Sequence, residues 1–228
     1  IGKVKGIDFS HCCLMGVKHE GDRESFRKMR RDVSAIYRKH DGVFLGTEPG
    51  RSFAKAKFDF PHLRDYVMDR NMMADVSETA TTWSNLLPLY EKSLADIECA
   101  IRDTGVASWV GCHVSHSYPT GASLYFTFGC LQWEGREIEQ YLHIKKAAED
   151  AFMKNGGTLS HHHAVGTEHL PWVEEDVSPT GLKAVQAVKE GLDPRGIMNP
   201  GKIIPPADPF KEWGLSGEAL GRFTGSGQ

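Results

Sequence analysis

The strongest constraint on the fold is one segment with the pattern of a β-hairpin, SWVGCHVSHSYPTGASLYFTFGCL, at residues 108–131. Apolar and polar side chains alternate on both sides of Pro119, Thr120 and Gly121, which are residue types that favour a three-residue turn. Such a turn pairs Tyr118 with Ala122, and therefore predicts that all paired positions have numbers that sum to 240.

This register separates the hairpin into two faces. The apolar face, which we expect to pack on helices, carries Cys112, Val114, Tyr118, Ala122, Leu124, Phe126 and Phe128. The polar face carries His113, Ser115, Ser117, Ser123, Tyr125 and Thr127. The pattern fits a polar face that meets water as well as one that lines a binding site.

Helical and extended patterns alternate along the rest of the chain. Five helices are predicted: one after Asp22, one that begins at Pro61, two that span 83–104 and 136–155, and one that begins at Ser178-Pro179. Three strands are predicted, at residues 4–17, 43–45 and 72–78. The two long helices should turn these side chains inward: Leu86, Leu87, Tyr90, Leu94, Ile97 and Ile101, then Ile138, Leu142, Ala148, Ala151 and Phe152. These elements predict an α+β domain, in which an antiparallel sheet has helices on one face and its second face free.

Composition excludes several classes of protein. A formal net charge of -3 and 40% hydrophobic residues argue against a nucleic-acid binder and against a disordered chain. Five cysteines without a CxxC pair favour a reducing compartment, so we expect the cytoplasm. We expect one domain over residues 1–204 and a poorly ordered tail over 205–228, and the start at Ile1 indicates a fragment.

Three consecutive histidines stand in GGTLSHHHAVG, residues 156–166. In an extended segment, adjacent side chains point to opposite sides, so we predict no metal site at His161, His162 and His163. One buried histidine beside two exposed ones is a simple alternative. However, imidazole moves protons near neutral pH, and the flanking glycines permit close approach to a flat ligand, which favours the wall of a binding site.

Two segments carry a resemblance to a known family. GGTLSHHHAVGTEHLPWVEED and GLDPRGIMNPGKI resemble the C-terminal half of FAD-linked oxidases, the vanillyl-alcohol-oxidase-type flavoproteins. Residues 4–204 are similar to the alkyldihydroxyacetonephosphate synthase family, including EGDRE, LRDYVMDRNMMADVSETATTW and CHVSHSYPTGASLYFTF. The resemblance implies a ferredoxin-like cap or substrate domain, FAD as cofactor, and the exchange of an acyl for an alkyl chain through an adduct at the flavin N5.

The resemblance also implies roles for individual residues. His162, His163 and Tyr125 match residues that serve the active site, where a base and a partner that activates an alcohol are needed. Arg64 and His113 are the candidates for substrate binding, and His161 and Asn199 those for contact with the cofactor. The synthase pattern has an arginine where His113 stands, which makes a phosphate-bearing substrate less certain.

The resemblance leaves three functions open. No glycine-rich pyrophosphate-binding segment occurs in the chain, so we expect a separate N-terminal FAD-binding domain as its partner and weak FAD binding without it. The alternatives to the synthase are an FAD-linked oxidase or dehydrogenase of a 2-hydroxy acid, such as glycolate or D-lactate, and a non-catalytic module of the same fold. Peripheral membrane association and a homodimer formed through exposed apolar surface are further expectations.

Overall fold

The computed structural model describes residues 12–59 and 61–212. Contacts divide the chain into two units, residues 1–63 and residues 64–228. In the described residues, no helix is long and apolar enough to cross a bilayer.

The first unit contains helices α1 (Arg23–Lys39) and α2 (Glu48–Ala56). Helix α1 begins after Asp22, whose carboxylate accepts hydrogen bonds from the backbone N–H groups of Glu24 and Ser25, as the sequence predicted. The strand predicted at 43–45 is wrong, since those residues are irregular, and so are residues 12–17 of the strand predicted at 4–17. Residues 4–11 lie outside the described residues. A β-prone segment becomes a strand only where another strand pairs with it.

The second unit is built on an antiparallel sheet of three strands in the order β1-β3-β2. The strands are β1 (Met72–Thr82), β2 (Ser108–Ser117) and β3 (Gly121–Leu131). Helices α4 (Leu86–Asp103) and α5 (Glu137–Lys154) cover one face of the sheet and bury Leu124, Phe126 and Phe128 against Leu89, Ile97, Ile101, Ile144 and Phe152. This architecture confirms the predicted α+β class. Helix α3 (Pro61–Met68) begins at the predicted proline.

The register of the hairpin differs from the prediction. Val114 pairs with Leu124 and Cys112 with Phe126, two positions away from the predicted pairing, and an irregularity follows between Val114 and Ser117. A shift by two residues leaves the faces unchanged before the irregularity, and the apolar face of β3 is buried as predicted. The prediction that Val114 and Tyr118 pack on helices is wrong, because they are 46% and 47% exposed and the Tyr118 hydroxyl contacts His161. The irregularity behaves as a β-bulge that turns Ser115 and His116 toward one neighbour, because the Ser115 hydroxyl and the His116 N–H both contact the Ser123 hydroxyl.

The two long helices confirm most, but not all, of the predicted inward positions. Leu87 is 61% exposed and Ile138 is 72% exposed, so both of these predictions are wrong. Both residues belong to an apolar stripe that is wider than the surface of the sheet that the helix contacts. Helix α5 instead buries polar side chains, including Lys145, which contacts the carboxylates of Asp75 and Glu168.

Helix α6 (Val173–Leu192) begins earlier than predicted. It is kinked at Ser178, whose φ of +69° is not helical and whose hydroxyl accepts a hydrogen bond from the Gly181 N–H. The predicted cap at Ser178-Pro179 is therefore present, with one additional helical turn before it. Within residues 205–212, the short helix α7 (Pro209–Glu212) places Phe210 against the Trp172 ring at 5.4 Å, whereas residues 213–228 lie outside the described residues.

Candidate active site

The glycine pair before the histidines lays the chain along the free edge of β1. Helix α5 ends at Gly156, which has a φ of +76°, a conformation that glycine adopts without strain. A Cβ on Gly157 would lie 2.3 Å from the Thr79 hydroxyl, so only glycine allows this close approach. Thr158 then pairs with Ala80 through two hydrogen bonds of 3.0 Å, one in each direction. The segment therefore enters the histidines at a fixed position on the sheet.

The segment is also held on both sides of the histidines. Before them, the Leu159 N–H donates to the Asp176 carboxylate, and the Leu159 side chain is buried against Trp172 and Val173. After them, His169 is buried and its Nδ1 lies 2.6 Å from the Ala164 carbonyl oxygen. These contacts of Leu159 and His169, one residue on each side, leave the intervening residues little conformational freedom.

A buried carboxylate lies at the centre of the histidine segment. Glu78 is on β1, has no exposed surface, and its Oε1 accepts hydrogen bonds from the backbone N–H groups of His161, His162 and His163 and from the Ser160 hydroxyl. Its second oxygen, Oε2, lies 2.6 Å from Nδ1 of His162. Burial alone raises the pKa of Glu78, but the four donors outweigh burial and hold that pKa at about 2.

The three histidine rings consequently lie on one side of the sheet. The residues that bear them curl around Glu78 instead of running extended, so the premise that their side chains alternate is wrong. Neighbouring ring centroids are 5.4 Å apart for His161 and His162, and 4.6 Å apart for His162 and His163. Burial lowers the pKa of His163, which favours its neutral form near pH 7.

Two tyrosines and a fourth histidine from the hairpin complete the cluster. The Tyr118 hydroxyl lies 3.0 Å from Nε2 of His161, and the Tyr125 ring centroid is 6.2 Å from that of His162 and 5.5 Å from that of His163. His116 is centred 5.0 Å from both His161 and His162. Burial, and then the charges of Asp75 and Glu78, raise the pKa of Tyr125, so it keeps its proton at neutral pH.

The structure therefore brings together Tyr125, His161, His162 and His163 among the predicted site residues. His113 pairs with Tyr125 across the sheet and is exposed. Arg64 is 69% exposed on α3 and lies 3.5 Å from Asp65. Asn199 has a left-handed φ of +45° in the loop after α6. The assignments of these three residues remain predictions.

Sequence reasoning missed His116 and Glu78. His116 reaches the cluster only because of the bulge in β2, which a regular hairpin pattern does not reveal. Glu78 lies within the strand MMADVSETATT, which contains several polar residues. Nothing in this pattern distinguishes Glu78 from a solvent-exposed carboxylate. A signal was nevertheless available, because a glutamate in the middle of a strand of a packed sheet needs several donors to be buried.

Two sets of three side chains in the described residues could bind a metal ion. The sets are His116, His161 and His162, and Glu78, His162 and His163, and within each set the ligand atoms lie within 4.8 Å of one another. Imidazole nitrogens and carboxylate oxygens suit zinc and similar divalent ions. In the second set, Oε1 of Glu78 already accepts four hydrogen bonds, so Oε2, which has no hydrogen-bond partner among the described residues, is the oxygen available to an ion.

Comparison with known proteins identifies the family of the chain. The family model described as FAD linked oxidases, C-terminal domain, matches residues 1–203. The chain belongs to this family. Members of the family are parts of FAD-linked enzymes, so the histidine cluster on the free face of the sheet is the candidate active site of such a domain.

Within the FAD-linked oxidases, the chain is similar to enzymes with two different names. The chain is 36% identical over 202 residues to an alkyldihydroxyacetonephosphate synthase of Dictyostelium discoideum, covering 89% of this chain and 33% of that protein. It is 42% identical over 217 residues to a mitochondrial D-lactate dehydrogenase of Arabidopsis thaliana, covering 90% and 35%. A solved alkyldihydroxyacetonephosphate synthase structure has a TM-score of 0.57 and 30% identity, covering 79% and 30%. The chain thus spans about one third of the length of these proteins.

Proposed function

We propose that this chain is the substrate-binding and catalytic C-terminal domain of an FAD-dependent enzyme of the alkyldihydroxyacetonephosphate synthase type. Such an enzyme exchanges an acyl for an alkyl chain in ether-lipid synthesis. The proposal depends on one observation, which is that imidazoles and phenols gather over a buried carboxylate on the uncovered face of the sheet. The likeness to alkyldihydroxyacetonephosphate synthases in sequence and in structure supports this reading.

The residues of the cluster fit the ring end of FAD. His162 is 40% exposed and His163 is also exposed, so both rings lie at an open surface that a planar group could cover. When bound, FAD supplies the electron-accepting ring that the exchange requires. The sequence offers no glycine-rich cradle for the diphosphate, so we assign that end of FAD to the N-terminal FAD-binding domain that the longer relatives have room for.

The chain's own groups can perform the proton transfers of the exchange. Nδ1 of His162 lies 2.6 Å from Oε2 of Glu78, which leaves Nε2 to take a proton from the substrate carbon next to the ketone. Neutral His163 can accept the proton of the incoming fatty alcohol, while Tyr125, which keeps its own proton, can donate a hydrogen bond to the substrate carbonyl. Arg64 and His113 remain the proposed contacts to the anionic group of the substrate, and His161 and Asn199 those to the cofactor.

A 2-hydroxy acid dehydrogenase is the second candidate function. The D-lactate dehydrogenase relative favours it, and the same histidines could remove the hydroxyl proton of D-lactate or glycolate. The two functions differ in the final state of the flavin. A dehydrogenase leaves the flavin reduced until an acceptor oxidises it, whereas the exchange reaction restores the oxidised flavin in every turnover.

The deciding experiment uses the purified full-length protein. With acyl dihydroxyacetone phosphate and a labelled fatty alcohol, the synthase proposal expects labelled ether product and a visible flavin spectrum that is oxidised at the end. Bleaching of the flavin by D-lactate or glycolate, without labelled ether product, would establish the second function. If the protein catalyses neither reaction, the result supports the third function, a non-catalytic module of the same fold.

Substitutions test the assignment of the proton carriers. His162→Phe and Tyr125→Phe should each lower turnover by about two to four orders of magnitude, since each removes a group that moves or holds a proton. Glu98→Gln, at an exposed carboxylate on α4 that lies 3.9 Å from Arg102, is the matched control and should retain full activity. Losses smaller than about threefold in both variants would contradict the assignment.

We further propose that the protein works in the cytoplasm, peripherally at a membrane that holds its long-chain substrate. All five cysteines are free, with Cys12 and Cys13 in the first unit, which suits a reducing compartment. Cosedimentation of the full-length protein with lipid vesicles tests the peripheral association, and analytical ultracentrifugation tests the proposed homodimer.

A further inference from the structure

Glu78 stands out because it is buried, ionised and unassigned to any step of the proposed reaction. It pairs with Tyr125 across the sheet, so it lies on the same face as the catalytic candidates, opposite the face that helices α4 and α5 cover. A buried carboxylate stays ionised only if hydrogen-bond donors compensate for the water that it has lost. Here the donors come from one short segment, Ser160–His163, which is also the segment that carries the proposed base.

The two oxygens of Glu78 have separate partners. Oε1 accepts the three successive backbone N–H groups and the Ser160 hydroxyl, and these bonds define the path of the loop. Oε2 lies 2.6 Å from Nδ1 of His162 and 3.8 Å from Nδ1 of His161, without the alignment of a hydrogen bond to either ring. The two Nδ1 atoms lie 3.2 Å from each other, so the charge of Oε2 acts on both. One oxygen thus fixes the backbone, while the other faces the ring that this backbone presents.

We propose that Glu78 is a positioning residue that fixes both the orientation and the tautomer of His162. An ionised carboxylate can only accept hydrogen bonds, so its charge favours a proton on the ring nitrogen that lies nearest to it. A neutral imidazole has one N–H, and placing it on Nδ1 leaves Nε2 as an acceptor directed away from Glu78. The inference rests on the proposed function, in which His162 is the base, and it explains how this chain prepares that base before substrate binds.

Glu78→Gln is the sharpest test, because glutamine has the same shape but a different hydrogen-bonding pattern. Its carbonyl oxygen can accept the loop N–H groups in place of Oε1, and its NH₂ group then presents a donor to Nδ1 of His162. The proton of the ring should therefore move to Nε2. In the FAD-bound, full-length protein labelled with ¹⁵N-histidine, we expect an Nδ1–H tautomer for His162 in the wild type and an Nε2–H tautomer in the variant, with the signals assigned through His162→Gln.

Kinetics provide a second readout that a purely structural role would not produce. Glu78→Gln should lower kcat by about 100-fold or more, because the base then presents a proton where it should accept one. In a His162→Gln background, the same substitution should change kcat by less than about threefold, since it acts through the ring that is already absent. Glu98→Gln serves as the matched carboxylate control in both backgrounds and should change neither value.

Defined outcomes would overturn the proposal. One is the same His162 tautomer in the wild type and in Glu78→Gln, and another is an equal loss of kcat in both backgrounds. If Glu78→Gln does not fold, Glu78→Asp retains the acceptor-only group on a side chain shorter by about 1.5 Å, and it must keep the Nδ1–H tautomer. If the wild type exchanges no acyl chain, the tautomer comparison still decides the role of Glu78, while the proposed function alone fails.

Discussion

The pKa of Glu78 makes a quantitative prediction about stability in acid. Its carboxyl group goes from an ordinary pKa of 4.5 in the unfolded chain to about 2 in the folded protein. At about 1.4 kcal/mol for each unit, this difference stabilises the folded state by about 3 kcal/mol when the group is ionised in both states. Because the folded pKa is the lower one, this stabilisation is complete above about pH 5 and disappears as the pH falls toward the folded pKa.

Urea unfolding of the wild type and of Glu78→Gln, followed by tryptophan fluorescence, measures this contribution. Glutamine does not titrate, so the difference in unfolding free energy between the two proteins should shrink by about 2 kcal/mol between about pH 6 and about pH 3. Glu98→Gln, at an exposed carboxylate, should give a difference that hardly changes with pH. A constant difference between the wild type and Glu78→Gln over this range would refute the reasoning that the loop donors hold the carboxylate ionised.

Three further predictions follow from packing and burial. Gly157→Val should lower the free energy of unfolding by about 1–3 kcal/mol in urea titrations, because its side chain enters occupied space, whereas Gly191→Ala in open space should be neutral or slightly stabilising. Lys145→Met should cost about 3 kcal/mol or more in the same assay, since it leaves carboxylates beside a buried site without their cation, and an unchanged midpoint would contradict this role. Burial raises the pKa of Cys112 to about 12, so iodoacetamide near pH 8 should label exposed Cys99 quickly and Cys112 slowly, as peptide mass spectrometry can show.

Local patterns predicted the hairpin, the two faces of β3 and the long helices, because each depends on residues close together in the sequence. Leu124 and Phe126 alternate with Tyr125, and this alternation alone determines which side chains share a face. Local patterns failed where a distant segment decides the structure. The apolar residues at 43–45 resemble a strand, but the structure gives them no partner strand.

The candidate site was only partly predictable for a related reason. The imidazole and phenol groups could be recognised in the sequence, but their convergence depends on a carboxylate 84 residues before His162. Spacing along the chain contains no information about that contact. The position of His116 similarly depends on a local departure from regular pairing, which alternation of residue types does not encode.

Because three consecutive amides share a single acceptor atom, the stretch from Ser160 to His163 cannot gain or lose a residue without misplacing every ring after the change. Homologous proteins should therefore keep this stretch at constant length. A comparison of the length of this stretch among homologues would then identify, without a biochemical experiment, those in which a buried carboxylate still holds the histidine loop.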